Sequence, residues 1–288
     1  MIPASFDYYR ASSVDDAVRL LGAHEDAKLV AGGHSLIPLM KLRLASPAAL
    51  VDIGGLRELS GIREDGGEIV IGALTRHYAL ETSELLRSRA QVVSEAAAQI
   101  GDVQVRNRGT IGGSLVHADP GADLPAVMLA LDATMVVHGP GGDRRVGAAD
   151  FFVEMLTTDV QPNEILTEIR FAALPERSGS AYVKFPNPAS GYSVVGSAVI
   201  VSLNAAGACS DVRVGISGAG PMPVRASDTE AALRGQQANA EAIQAAAQEA
   251  ANGIEALEDI HASANYRLHL ARVMTRRAIE SALARARA

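Results

Sequence analysis

At 288 residues, with 48% hydrophobic and 20% charged residues, the chain has apolar material for two domains, or for one domain with a large appendage. A net charge of -7 argues against a nucleic-acid partner, which needs basic surface, and the absence of tryptophan leaves few platforms for stacking bases. A single cysteine, Cys209, excludes an intramolecular disulfide, a cysteine zinc site and a cysteine-ligated iron–sulfur cluster within the chain. No run of about 18 apolar residues offers a membrane span. The opening Met-Ile-Pro-Ala-Ser-Phe-Asp-Tyr lacks the basic and apolar regions of a signal peptide, so a cytoplasmic location is expected. The seven histidines show no metalloprotease spacing, and His117 with Asp119 is too little for a metal site.

In chain order, Ser13 to Asp16 resembles a capping box with Asp16 in place of Glu or Gln. It opens a short helix with Val14, Ala17, Val18 and Leu21 on one face, ended by Gly22. Lys28-Leu29-Val30 reads as a strand running into Ala31-Gly32-Gly33-His34-Ser35. Leu36–Leu44 then reads as a helix with Pro38 in its first turn. A strand, a Gly-Gly turn and a helix start can set backbone N–H groups and the positive end of a helix dipole on an anion. The same residues also suit a tight connection that needs glycine for geometry alone. The spacing is neither a Rossmann fingerprint nor a Walker A loop. Leu50–Ile53 closes a β-α-β unit near residue 55. Glu68–Ile71 is a further strand, and Ser83–Ile100 reads as one helix packed through Ala90, Val93, Ala96, Ala97 and Ile100.

Arg106–Pro125 is polar and glycine-rich. Gly109, Gly112, Gly113 and Gly121 let backbone come close to a neighbour, Thr110 and Ser114 add hydroxyls, and Asp119 and Asp123 add acceptors. It reads as a loop, either a ligand cradle or ordinary surface. Leu124–Leu131 follows as a helix. Thr134–His138 and Arg144–Gly147 form a hairpin about Gly139–Gly142, and Glu164–Phe171 is a strand with one wetter face. Leu174–Gly179 marks a domain boundary. Beyond it, strands at Ser180–Phe185, Ser193–Leu203 and Val212–Gly218 precede helices at Ser227–Leu233, Ala240–Ala251 and Asn265–Ala286, an α+β pattern. Gly215–Gly220 is followed by Pro221 and Pro223 and reads as a turn, not a nucleotide loop. The arginines of the last helix read as a solvated face ahead of a docking surface.

The two Gly-Gly stretches, each flanked by hydroxyl residues, could grip one diphosphate-containing ligand from two sides. Together, Ala31-Gly32-Gly33-His34-Ser35 and Thr110-Ile111-Gly112-Gly113-Ser114 resemble the paired flavin signatures of the FAD-containing medium subunits of the carbon monoxide dehydrogenase and xanthine dehydrogenase family of molybdenum hydroxylases. The similarity runs from Ile2–Tyr8 through Pro38–Leu44, Asp119–Asp123 and Gly191-Tyr192 to the closing helix.

The resemblance implies an α+β fold. Residues 1–176 would form a two-lobed FAD-binding domain of the vanillyl-alcohol-oxidase/MurB type, with lobes of about 1–55 and 56–176, and residues 177–288 an antiparallel sheet with helices. It implies that Lys28, Leu29, Val30, Ala31, Gly32, Gly33, His34, Ser35 and Leu36 wrap the FAD diphosphate by backbone contacts. Thr110, Gly112, Gly113 and Ser114 would face them, with Ile100 and Gly109 lining the pocket. Asp119, Ala122 and Asp123 would lie by the adenosine and ribitol part, and Ile165 and Leu166 by the ring system. Lys184 would place a positive charge near the reducible end of the isoalloxazine, and Tyr192 would screen its face. FAD would be non-covalent, with no metal in this chain. A small partner would carry [2Fe-2S] clusters and a large one molybdopterin, in a dimer of heterotrimers, with peripheral membrane association of the complex open. Electrons would pass from the clusters through FAD to an acceptor such as quinone. The alternatives are a self-sufficient FAD oxidase or reductase of the same superfamily, or the FAD subunit of a purine, aldehyde or N-heterocycle dehydrogenase.

Overall fold

The computed structural model describes residues 2–288. The first lobe contains β1 (Asp7–Arg10), α1 (Val14–Ala23), β2 (Ala27–Val30), α2 (Leu36–Lys41) and β3 (Ala49–Asp52). β3 lies between β1 and β2 and runs parallel to both. Parallel strands need covered faces, and Val51 and Ile53 pack on Ala17, Val18 and Leu21 of α1. Ser13 caps α1 by accepting from the Asp16 N–H at 3.1 Å, but the Asp16 carboxylate accepts from the N–H of Ser12, not Ser13, so only half of the capping box forms. α2 stops at Lys41, short of Leu44, because Arg43 takes a left-handed φ of 59°.

The second lobe contains β4 (Ile62–Asp65), β5 (Glu68–Gly72), α3 (His77–Thr82), α4 (Glu84–Arg89), α5 (Gln91–Ala98), α6 (Val103–Arg106), α7 (Ile111–His117) and α8 (Leu124–Ala130), followed by β6 (Thr134–Gly139), β7 (Gly142–Gly147), α9 (Ala148–Phe151), β8 (Phe152–Glu154), β9 (Thr157–Thr158) and β10 (Ile165–Ala172). Its five-stranded antiparallel sheet runs β4-β5-β10-β6-β7. A bulge between Leu166 and Glu168 in β10 re-aims the strand. Ile165 joins the first lobe's core, while Leu166, Ile169 and Phe171 join the second lobe's.

The helix expected over Ser83–Ile100 is two helices. Ala90, at φ -159° and ψ 58°, breaks it. The break leaves N–H groups free at the start of α5, and that of Val92 donates to Ser180 Oγ at 3.2 Å. The partner lies 88 residues further along the chain, so no local signal marks the break.

The last part of the chain contains β11 (Ser178–Pro186), β12 (Ser193–Leu203), β13 (Cys209–Ser217), β14 (Val224–Arg225), α10 (Ser227–Leu233), α11 (Ala240–Gln248) and α12 (Ala264–Ala286). The strands form an antiparallel sheet in that order. All eleven residues of β12 are buried, because the sheet is covered on both faces. Val195, Val199 and Val201 pack with α12, while Ala198 and Ile200 join the core of the second lobe.

Arg267 and Arg285 depart from the solvated face expected of α12, while Arg277 is exposed as expected. Arg267 is only 4% exposed, and it donates to the carbonyls of Val194 and Gly218 at 2.7 Å each and pairs with Asp259 at 2.6 Å. Arg285 ties Ser180 O to Glu95 of α5. Carbonyls at the ends of β12 and β13 need donors that no neighbouring strand supplies, and the arginines supply them. Arg267→Met should therefore lower unfolding free energy by about 2–4 kcal/mol in chemical denaturation. An unchanged midpoint would show that the arginine braces nothing.

Candidate functional site

The two glycine stretches meet through backbone. The chain leaves β2 and turns through Ala31–Ser35, with Gly33 at a left-handed φ of 75°. A Cβ on Gly32 would overlap the carbonyl of Arg108, so only glycine lets this loop rest on the second lobe. Gly33 O and Ser35 O accept from Ile37 and Leu39. Among the described residues, the N–H groups of Gly32, Gly33, His34 and Ser35 meet no backbone or side-chain acceptor. Consecutive free N–H groups form an electropositive nest that suits phosphate oxygens. α2 is six residues long, so the nest outweighs the helix dipole expected there.

The stretch expected as a loop at Arg106–Pro125 contains α7, with Gly112 and Gly113 in its first turn. Non-local acceptors start this helix in spite of the two glycines. The N–H of Ile111 donates to Thr75 O at 3.0 Å, that of Gly112 to Ala73 O at 2.8 Å, and that of Gly113 to Thr110 Oγ1 at 3.1 Å. A Cβ on Gly112 would sit 2.6 Å from the Cβ of Ala73, so its role is close packing. With these groups already bonded, the first turn of the helix offers exposed Gly113 backbone and the half-buried Ser114 hydroxyl, not a row of free donors.

After α7 the Asp119 carboxylate accepts from the Gly121 N–H at 2.9 Å. His117 and Asp119 stand 4.0 Å apart, and among the described residues no three His, Cys, Asp or Glu side chains gather to hold a metal. Asp123 is buried and accepts from Tyr182 Oη at 2.6 Å, Ser193 Oγ at 2.8 Å and Lys184 Nζ at 2.9 Å. Burial pushes the Asp123 carboxyl up from the usual aspartate range, and Lys184 and the two hydroxyls oppose it. Lys184 Nζ also donates to Gln99 O at 2.7 Å and Gly191 O at 2.6 Å. An ammonium has three protons, and all three have acceptors. The free positive charge expected of Lys184 is therefore bound within the protein.

Tyr192 stands where the parts converge. Its hydroxyl lies by Ser35 of the nest, and its ring lies beside Gly121. It remains 42% exposed, and burial of the rest, then Asp119, raises its phenol above the ordinary tyrosine range. Ile165 and Leu166 are 1% and 4% exposed, with side chains inside the two lobe cores, so only their backbone is left to meet a ligand. Ile100 packs on the second-lobe core, Ala122 is buried and Gly109 backs the nest. Lys28, Leu29 and Val30 lie in β2, with Leu29 and Ala31 packed on the first-lobe core and Leu36 opening α2.

Two residues at the site carry no pattern in the sequence. Arg106 pairs with Glu81 at 2.8 Å and donates to Ile100 O at 3.1 Å and Gly101 O at 3.3 Å, pinning the corner between α5 and α6. His77, 4% exposed, donates its N–H to Gly109 O at 3.0 Å, and its ring fills the space behind Gly109. Its Nδ1 has no partner. Burial, then the charges of His34 and Arg106, lowers its pKa to about 4. The unfolded chain titrates His77 near 6.5, so between the two values it binds more protons than the folded chain. This contribution to stability is complete above about 6.5 and is lost as pH falls toward about 4, by about 3 kcal/mol. His77→Leu should flatten that part of the pH–stability curve, and a variant curve parallel to the wild type would contradict a buried neutral imidazole.

The chain's matches with known proteins agree with this geometry. Residues 4–173 match the FAD binding domain in molybdopterin dehydrogenase, and residues 180–282 the CO dehydrogenase flavoprotein C-terminal domain. The chain is 41% identical to the 6-hydroxypseudooxynicotine dehydrogenase complex subunit alpha of Paenarthrobacter nicotinovorans, over 100% of this chain and 97% of that one. It is also 41% identical to the carbon monoxide dehydrogenase medium chain of Hydrogenophaga pseudoflava, over 99% of each. The solved carbon monoxide dehydrogenase from that organism superposes with a TM-score of 0.96 at 43% identity, covering 99% of both chains. Quinoline 2-oxidoreductase from Pseudomonas putida 86 superposes at 0.93 with 31% identity, again covering 99% of both. With the nest of free N–H groups between its lobes and both domain matches in order, the chain belongs to the FAD-binding flavoprotein subunits of the carbon monoxide dehydrogenase and xanthine dehydrogenase family of oxidoreductases.

Proposed function

We propose that this chain is the electron-transfer subunit of a molybdenum hydroxylase of the carbon monoxide dehydrogenase type. It would take electrons from [2Fe-2S] clusters on a small partner and deliver them through FAD to an external acceptor such as quinone. The observation that carries this reading is the nest at Gly32–Ser35 seated on Arg108–Gly109 of the other lobe. Four adjacent free N–H groups fit the diphosphate of a dinucleotide.

Gly32, Gly33, His34 and Ser35 would hold that diphosphate, with Lys28–Ala31 and Leu36 shaping the strand and helix on either side. Ser114 and the Thr110–Gly113 turn would close it from the second lobe. Asp119 and Ala122 would lie toward the sugar and ribitol, and Tyr192 would cover the ring. When bound, FAD supplies one- and two-electron redox chemistry, and the chain supplies position and electrostatics. Cys209 is single and buried, which leaves iron–sulfur chemistry to a partner chain. The names of the relatives, "medium chain" and "complex subunit alpha", support a multi-subunit assembly. A large molybdopterin subunit would select the substrate, in a dimer of heterotrimers. Among the described residues no helix is long and apolar enough to cross a membrane. The FAD-binding part would end near residue 176.

Co-expression with a large molybdopterin subunit and a small iron–sulfur subunit should yield a three-subunit complex whose flavin absorption bleaches with dithionite. A chain that purifies alone and stays colourless with added FAD would contradict the assignment. Gly32→Val would force the loops apart, and Gly33→Val would oppose the left-handed turn. Each should reduce FAD content at least about tenfold in the purified complex. Normal flavin content in either variant would place the diphosphate elsewhere.

A further inference from the structure

Tyr192 is carried on a turn from Asn187 to Ser193 that is tied down at many points. Asn187 N donates to Tyr192 O at 2.7 Å, Gly191 N to Asn187 O at 2.9 Å, and the Asn187 carboxamide oxygen accepts from Ala189 N at 2.9 Å. These bonds shape the turn but do not locate it. Its position comes from outside. Ser193 N donates to Gly121 O at 2.9 Å, and Lys184 Nζ donates to Gly191 O at 2.6 Å, next to Tyr192. Lys184 is in turn locked to Gln99 O and Asp123, and Asp123 to Tyr182 and Ser193. The side chains of Lys184 and Asp123 are 3% and 5% exposed. The network thus joins the α5–α6 corner, the segment before α8 and the end of β11 at one buried point.

We propose that Lys184 is a positioning residue: through Gly191 it fixes the turn that sets Tyr192 beside Gly121, while Asp123 cancels its charge before any cofactor could feel it. The consequence for flavin rests on the FAD reading above; the consequence for the turn does not. A direct electrostatic role needs a free ammonium facing the ligand. Here every proton of the ammonium is bonded within the protein and its counter-charge is 2.9 Å away. The two roles therefore separate when both charges are removed together. Removing one charge alone would strand a buried partner and destabilise the fold for an unrelated reason.

Two paired variants test this in the assembled complex and in the flavin-free chain. Lys184→Met with Asp123→Leu removes the charges and the hydrogen bonds. Lys184→Gln with Asp123→Asn removes the charges but keeps donors, and it guards against a Met/Leu pair that fails to fold. Amide hydrogen exchange over 187–193 reads the turn, and the midpoint potential of the bound flavin reads the charge. The Met/Leu pair should exchange at Gly191–Ser193 about tenfold faster, the Gln/Asn pair should stay near wild type, and neither should move the potential. A potential lowered equally by both pairs would assign Lys184 to direct electrostatics and overturn the proposal. Unchanged exchange in the Met/Leu pair would overturn it as well. A wild-type complex without flavin would instead sink the FAD reading, and exchange in the flavin-free chain would still decide the role of Lys184.

Discussion

Where Gly32 lies on the carbonyl of Arg108, two lobes touch through bare backbone, and the rest of the site depends on that contact. Any side chain at Gly32 would hold the lobes apart. With none, the loop that carries the unbonded N–H groups rests on Arg108 and Gly109, directly before α7. The second lobe is stiffened from behind. His77 fills the space under Gly109, and the carbonyls of Ala73 and Thr75 fix the first turn of α7. The neutral state of His77 fits this task, since a protonated ring there would be buried and repelled by His34 and Arg106.

A second constraint runs from the C-terminal sheet. β12 is buried on both faces because α12 covers one and the second lobe the other. This fixes β11 and the turn after it relative to the nest. Polar ties follow the same seam: Val92 N to Ser180, Glu95 to Tyr182 N and Arg285, and Lys184 to Gln99 and Asp123. Tyr192 is therefore held on a rigid mount. Its neighbour Ser35 belongs to the nest itself.

Much of this was legible in the sequence, for physical reasons. The parallel β-α-β start, the hairpin at Gly139–Gly142 and the long C-terminal helix follow from periodicity and turn residues, which act locally. Gly32 and Gly33 stand out because they follow a strand and run straight into a hydroxyl residue and a helix start. What escaped was set by non-local partners. Gly112 and Gly113 disfavour helix, and only the carbonyls of Ala73 and Thr75 make α7 begin there. Ala90 looks helical until Ser180 offers Val92 a bond. Arg267 reads as a surface charge, and Lys184 as a charge offered to a cofactor, because burial of a cation depends on acceptors that sequence does not bring together. His77 gave no signal at all, since one histidine in a short helix has no pattern to break.

The central claim is that backbone N–H groups of Gly32–Ser35 grip the diphosphate of FAD. Hydrogen exchange of the assembled complex, with and without FAD, tests it most directly. The account predicts strong protection of the Gly32, Gly33, His34 and Ser35 amides on binding, and little change at Gly112 and Gly113, which are bonded already. Flavin bound with the four nest amides still exchanging freely would contradict it.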